Sequence, residues 1–349
     1  LALYTRASWA FTLQFGYIDM SQLPTTPPYR SSSILPIIAT TSAFAIAGLG
    51  LALIAWSRNY VIHDIPLTRA LPGDLIRFTG RRSGGLAYYA AGPSRRGVPP
   101  LVMIHSINAA GSSYEMKPLF EHYARTRRVV ALDLPGYGFS ERSDRSYTPA
   151  LMRDAILDLI EQELDGQAVD GVGLSLGAEY LALAGLLNPL SFRSFTFITP
   201  TGFSARSAAL KPSDVALRWL RVPVWARPLY DLLTSRPSIT YFTQMNQRTP
   251  VKREFIDYAY ATSHQPDAEI APFHFLAFKL FTPTIVQVYR QLQQQCLLIY
   301  GRDPFATYEY AGELANKKNW RILAFENAGA LVHWDQLSGT TEAMDKLLK

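Results

Sequence analysis

Short apolar runs alternate with longer segments of helical period over most of this chain. Leu101 to His105 reads as a buried strand, and Val129 to Asp133, Ala168 to Val172, Phe195 to Thr199, Cys296 to Tyr300 and Arg321 to Phe325 continue the strand pattern. Between them, Tyr114 to Arg125, Thr148 to Leu164 and Ala178 to Leu187 read as helices. Leu151, Ile156, Ile160 and Leu164 fall close to one face of the second. Strands alternating with helices predict a parallel sheet built from βαβ crossovers. Leu75 to Ala91 departs from this, reading as two strands joined by Gly80 to Gly84, an antiparallel start to the sheet.

The alternation breaks in two places. Ile34 to Trp56 carries no charged residue over 23 positions, enough for a helix to cross a bilayer core of about 30 Å. Trp56, Arg58 and Tyr60 stand at its C-terminal edge, where an interfacial belt is expected. A cleaved signal peptide fits less well, because the apolar part is too long and Leu-Ile-Ala-Trp-Ser is bulky for a cleavage site. The pattern therefore predicts a tail over 1–33 without fixed structure, a single-pass membrane anchor over 34–56, a linker over 57–73 and a catalytic-type α/β domain over 74–349. The second break runs from about 200 to 294, where helical patterns, prolines and aromatics such as Trp219, Tyr230, Phe255 and Phe273 replace the strands. This reads as an inserted helical cap, and its aromatics suggest an apolar channel.

Composition narrows the picture. With 48% hydrophobic and 18% charged residues among 349, wholesale disorder is excluded. The net charge of +6 comes from scattered arginines, which points to a solvated basic surface and not to nucleic acid. The single cysteine, Cys296, has no intramolecular disulfide partner. No Cys, His and carboxylate cluster has metal-ligand spacing, and there is no dinucleotide fingerprint or P-loop, so neither metal nor organic cofactor is expected.

The candidate chemistry lies at Gly173-Leu174-Ser175-Leu176-Gly177, between an apolar run and a helix. A serine on a sharp strand-to-helix bend exposes its hydroxyl, and the helix N-terminus beneath it offers N–H groups to developing negative charge. A free hydroxyl is a poor nucleophile at neutral pH and needs a base.

Four motifs in order resemble the α/β-hydrolase superfamily, from about Leu75 to the C-terminus. They are the strand–His turn at 101–107, Asp133-Leu134-Pro135-Gly136-Tyr137-Gly138-Phe139-Ser140, the elbow at 173–177, and Gly301-Arg302-Asp303-Pro304. The resemblance implies an α/β fold with a mostly parallel, eight-stranded type of sheet flanked by helices and carrying an inserted cap, here with an N-terminal transmembrane helix. It implies Ser175 as nucleophile, Asp303 as the acid that orients the base, and an oxyanion hole from the backbone N–H groups of Leu176 and Ile107. Serine at position 175 argues against dehalogenases and epoxide hydrolases. It favours esterases, lipases, amidases, C–C hydrolases, perhydrolases and acyltransferases. His105 is expected to orient its loop.

The base is where this chain departs from the superfamily. A Gly-His pair is expected after the last strand, and the chain reads Gly329-Ala330, with His333 and Asp335 matching auxiliary positions. Either the loop is remodelled and His333 reaches Ser175, or the triad is broken; His264 and His274 in the cap are remote alternatives. The favoured expectation is a membrane-anchored serine hydrolase acting on a lipophilic carboxylic ester through an acyl-enzyme, with Ser175, His333 and Asp303 as triad. An acyltransferase on the same site, or an impaired domain that binds an apolar ligand, are the alternatives.

Overall fold

The computed structural model describes residues 35–204 and 210–349, with side chains from residue 48 onward. The tail expected over 1–33 lies outside the described residues, as does residue 34. Eight strands form one sheet in the order β1-β2-β4-β3-β5-β6-β7-β8. They are β1 (Asp74–Gly80), β2 (Gly84–Ala91), β3 (Leu101–Ile104), β4 (Val129–Asp133), β5 (Val169–Leu174), β6 (Phe192–Ile198), β7 (Gln295–Tyr300) and β8 (Trp320–Ala324). The β1–β2 hairpin is antiparallel and β2 pairs antiparallel with β4; every later pairing is parallel. The mixed, mostly parallel sheet follows the apolar pattern, and the antiparallel pair falls where the hairpin reading placed it.

Successive side chains of a strand point to opposite faces, so a central strand covered on both sides must be apolar throughout. On one face Val102, Ile104, Phe195 and Phe197 pack with Ile156, Ile160 and Leu181; on the other Leu101, Met103, Val172 and Leu297 pack with Leu119, Phe120 and Met344. Burial of each such side chain is worth about 1.5–3 kcal/mol against exposure. The covering helices are α2 (Lys117–Tyr123), α3 (Pro149–Glu163), α4 (Leu176–Leu187) and, at the C-terminus, Leu337–Leu348. Helix α3 starts where its chemistry dictates. Thr148 accepts the Leu151 N–H at 3.1 Å, and Pro149 occupies the first turn, where no N–H is needed.

Between β6 and β7 the chain builds the cap from α5 (Asp214–Leu220), α6 (Ala226–Leu233), α7 (Arg236–Met245), α8 (Arg253–Ser263), α9 (Ile270–Leu276) and α10 (Ile285–Gln291). After β7 come α11 (Gly312–Ala315), α12 (Val332–Asp335) and α13 (Leu337–Leu348).

Helix α1 (Leu35–Tyr60) covers the segment read as a membrane anchor. Among the described residues no helix is long and apolar enough to cross a membrane. The C-terminal end of α1 docks on the cap. The Ser57 hydroxyl donates to Asp231 Oδ2 at 2.5 Å, and His63 Nε2 reaches the same oxygen at 2.8 Å. Arg227 completes the cluster on Asp231 Oδ1 at 3.0 Å. Asp231 is fully buried, so these partners offset the desolvation of its carboxylate.

Candidate functional site

Ser175 ends β5 and caps α4 with φ 51° and ψ −122°, a left-handed conformation that a β-carbon ordinarily avoids. Its N–H donates to the Ile198 carbonyl at 2.9 Å, tying the bend to the neighbouring strand. The two glycines of the motif are required by contact. A Cβ on Gly173 would lie 2.7 Å from Ala178 Cα, and one on Gly177 would overlap the His105 carbonyl oxygen. The bend therefore has room only for hydrogen at those positions. The Ser175 hydroxyl is partly exposed and takes no hydrogen bond among the described residues.

The second wall of the site is the turn after β3. His105 is fully buried, donates from Nδ1 to the Ser106 carbonyl at 2.6 Å and accepts the Leu134 N–H on Nε2 at 3.0 Å. Both ring nitrogens are used, so the ring orients the turn, as the sequence suggested. Glu115 holds the same turn from below. Its carboxylate accepts the Ser106 N–H at 2.8 Å, the Ser106 hydroxyl at 3.0 Å and the Asn108 amide at 2.7 Å. Ile107 is thus fixed on both sides in sequence. Among the described residues neither its N–H nor that of Leu176 at the start of α4 donates to a backbone carbonyl outside regular structure, the arrangement an oxyanion site needs. Substitution of serine for the usual glycine at 106 is accommodated because Glu115 takes both its N–H and its hydroxyl.

The D-x-P-G-x-G-x-S turn is structural. Asp133 accepts the Ser113 N–H at 3.0 Å and the Phe139 N–H at 2.9 Å, while Gly138, at φ +52°, approaches that carboxylate too closely for a side chain.

Asp303 lies on the loop after β7. Its Oδ1 accepts the Phe305 N–H at 2.7 Å and the Ala306 N–H at 3.2 Å, and burial pushes its pKa up to about 6 despite these bonds. No imidazole contacts it among the described residues. The Asp303 loop is stitched to the Ala330 loop by Arg302 N–H on the Ala328 carbonyl at 2.8 Å. Thr199, which follows β6 at φ 47°, donates its hydroxyl to the Ala330 carbonyl at 2.6 Å. Ile198, whose carbonyl holds Ser175, precedes Thr199. Ala330 therefore stands among the strand ends that carry Ser175 and Asp303.

His333 sits elsewhere. It is fully buried on α12, and Nε2–H donates to the Glu115 carbonyl at 2.7 Å, beside the Trp334 indole N–H on the same oxygen at 2.7 Å. Nδ1 is buried without a partner. Desolvation pulls the His333 pKa down to about 4, so the ring is neutral at pH 7. The structure does not bring His333 to Ser175 or to Asp303. The physical reason is the register of α12: the ring points back to the segment that carries Glu115, where it ties the C-terminal region to the segment that holds the turn after β3. Asp335 accepts N–H groups of Arg248, Thr249 and Gly329 at 2.8–3.0 Å and so clamps the cap to the Ala330 loop.

The other histidines are committed too. His264 Nδ1 donates to the Tyr260 carbonyl at 2.7 Å and His274 Nδ1 to the Ile270 carbonyl at 2.9 Å, both within the cap; His63 meets Asp231 and the His122 ring lies edge-on to Tyr123. With His105 and His333 these are the six histidines of the chain, and none bonds Ser175. Sequence reasoning missed Glu115 and Thr199. Glu115 finds its partners across the turn, seven and nine positions earlier, and Thr199 finds Ala330 131 positions on.

A family profile described as the Alpha/beta hydrolase family matches residues 101–343. That is more than half of the chain, so the chain belongs to the alpha/beta hydrolase family and is classed with its hydrolases. No curated protein matches the sequence. Among solved structures, a serine hydrolase involved in carbazole degradation is similar at TM-score 0.61 and 16% identity, covering 79% of this chain and 99% of that one. A 2-hydroxy-6-oxo-6-phenylhexa-2,4-dienoate hydrolase from Rhodococcus sp. strain RHA1 gives TM-score 0.61 and 17% identity, covering 78% and 98%. A thermophilic esterase from Thermogutta terrifontis gives TM-score 0.60 and 15% identity, covering 79% and 98%. At these identities the likeness speaks for the fold.

Proposed function

We propose that Ser175 cleaves a lipophilic carboxylic ester through an acyl-enzyme, and that it does so without an imidazole base. The observation that carries this reading is Ser175 itself, strained at φ 51° beside the Leu176 and Ile107 N–H groups. The hydroxyl adds to the acyl carbon, the N–H groups hold the oxyanion, the alcohol leaves with the serine proton, and water then releases the acid. With no base the rate rests on the oxyanion site and on binding, which together supply about 10³–10⁴-fold over water. If another alcohol replaces water in the second half, the same site is an acyltransferase.

In this reading the 34–56 segment anchors the chain in a membrane as a single pass, supported by its uncharged length. Exposed Trp219, Val224 and Leu232 on the cap, with α6 packed on α1, would present an apolar face on the same side. A second reading, an apolar-ligand-binding domain without turnover, is favoured by one observation: His63, His105, His264, His274 and His333 all hydrogen-bond groups other than Ser175.

Hydrolysis of 4-nitrophenyl esters of increasing acyl length by the full chain in detergent micelles separates the two. The expected result is slow turnover that rises with acyl length and falls to background in Ser175→Ala. Equal rates in wild type and Ser175→Ala at every length would leave only the binding reading.

A further inference from the structure

A cavity of about 310 Å³ opens on the flank of α4, away from the serine; Ser175, Ile107 and Asp303 do not line it. Glu179, one helical turn beyond Ser175, forms its polar end, and Phe281 and Ile285 form apolar wall. Glu179 is 1% exposed. Its carboxylate accepts the Thr201 hydroxyl at 2.5 Å and the Thr282 N–H at 2.8 Å, which leaves acceptor capacity on both oxygens. The Thr282 hydroxyl is buried at the same end, beside the same carboxylate.

Among the described residues no cation neutralises this carboxylate. The groups facing it are the buried phenols of Tyr180 and Tyr289, both held neutral by burial. Arg290, at the cavity wall, is paired with Glu313. A buried carboxylate with hydrogen bonds but no counter-charge is costly when ionised, and desolvation pushes the Glu179 pKa up to about 7. A cavity with an apolar stretch of wall at Phe281, Ile285 and Val286, ending in a carboxylate beside a hydroxyl with no cation on it among the described residues, is complementary to one chemical class.

We propose that this cavity is a second small-molecule site that takes a primary ammonium on a short apolar stem, its N–H groups on Glu179 and the Thr282 hydroxyl. At about 310 Å³ it is at the small end of ligand pockets, which suits a compact amine. The site is independent of Ser175 chemistry and stands whether or not the chain turns over esters.

The sign of the pH dependence follows from the raised pKa. The folded chain holds a proton on Glu179 that the unfolded chain has released above about pH 4.5. Stability from this group is therefore fully present at low pH and is lost as pH rises through about 7. A bound ammonium reverses that loss by pairing with the ionised form.

The test is thermal unfolding of the full chain in detergent micelles with n-butylammonium, and with 1-butanol as its uncharged isostere. At pH 8 a saturable rise in Tm with n-butylammonium is expected, several-fold smaller at pH 5.5, and unchanged in Ser175→Ala. Glu179→Gln, which mimics the protonated carboxyl, should show a higher starting Tm at pH 8 and no response. Thr282→Val should bind several-fold more weakly. An equal response to 1-butanol, an equal response in Glu179→Gln, or no response in the wild type would overturn the proposal.

Discussion

Ala330→His is expected to raise the Ser175-dependent esterase rate by about 10²–10⁴-fold, the range lost when a triad member is removed from a serine hydrolase. On the proposed reading three of the four elements are present on neighbouring strand ends: Ser175 after β5, the N–H groups of Leu176 and Ile107, and Asp303 on the loop after β7. The Ala330 backbone is pinned among them by the Thr199 hydroxyl at 2.6 Å and by the Arg302 N–H on the neighbouring Ala328. An imidazole at 330 would find Asp303 without a competing imidazole. Its arrival should also give the rate a rise with pH near 6.5–7, as the ring loses its proton. The measurement is kcat/KM for 4-nitrophenyl butyrate against pH in wild type, Ala330→His and the double variant Ser175→Ala/Ala330→His. A gain that survives loss of Ser175 would place the new chemistry elsewhere.

Gly177→Ala should act in the opposite direction, removing at least 100-fold of whatever rate Ser175 supports and about 1–3 kcal/mol of stability. The added methyl overlaps the His105 carbonyl oxygen and lies 3.1 Å from Ile104 Cγ2, so α4 must move off β3. That motion separates Leu176 from Ile107 and opens the pair of donors. Gly312→Ala is the control, since nothing lies within 4 Å of its added carbon. Urea unfolding alongside the ester assay distinguishes lost geometry from lost fold: a folded Gly177→Ala with unchanged rate would mean that the elbow is not the reacting site.

The central strands were legible because they are largely apolar, and burial on both faces favours that pattern. Leu101 to Ile104 needs no partner information to be recognised. The elbow was legible for a related reason: Gly173 and Gly177 are local demands of a tight bend, written beside the residue they serve. The base was not. Whether His333 faces Ser175 depends on how α12 rotates against the segment carrying Glu115, 218 positions away, and no periodicity records that contact. Glu115 shows a different limit. A glutamate at the start of a predicted helix proves to be the residue that fixes Ser106 and Asn108, because three donors from the preceding turn converge on it only after folding. The Glu179 cavity likewise comes from Thr201, Thr282 and α10, which reach the carboxylate from distant parts of the sequence.

The central claim is that Ser175 reacts without a histidine. Labelling of the folded full chain with a fluorophosphonate, followed in time beside Ser175→Ala and His333→Ala, tests it most directly. The account predicts slow labelling that vanishes in Ser175→Ala and keeps its rate in His333→Ala. Fast labelling lost in both variants would contradict it, and would mean that the His333 ring leaves the Glu115 carbonyl and serves Ser175 as base.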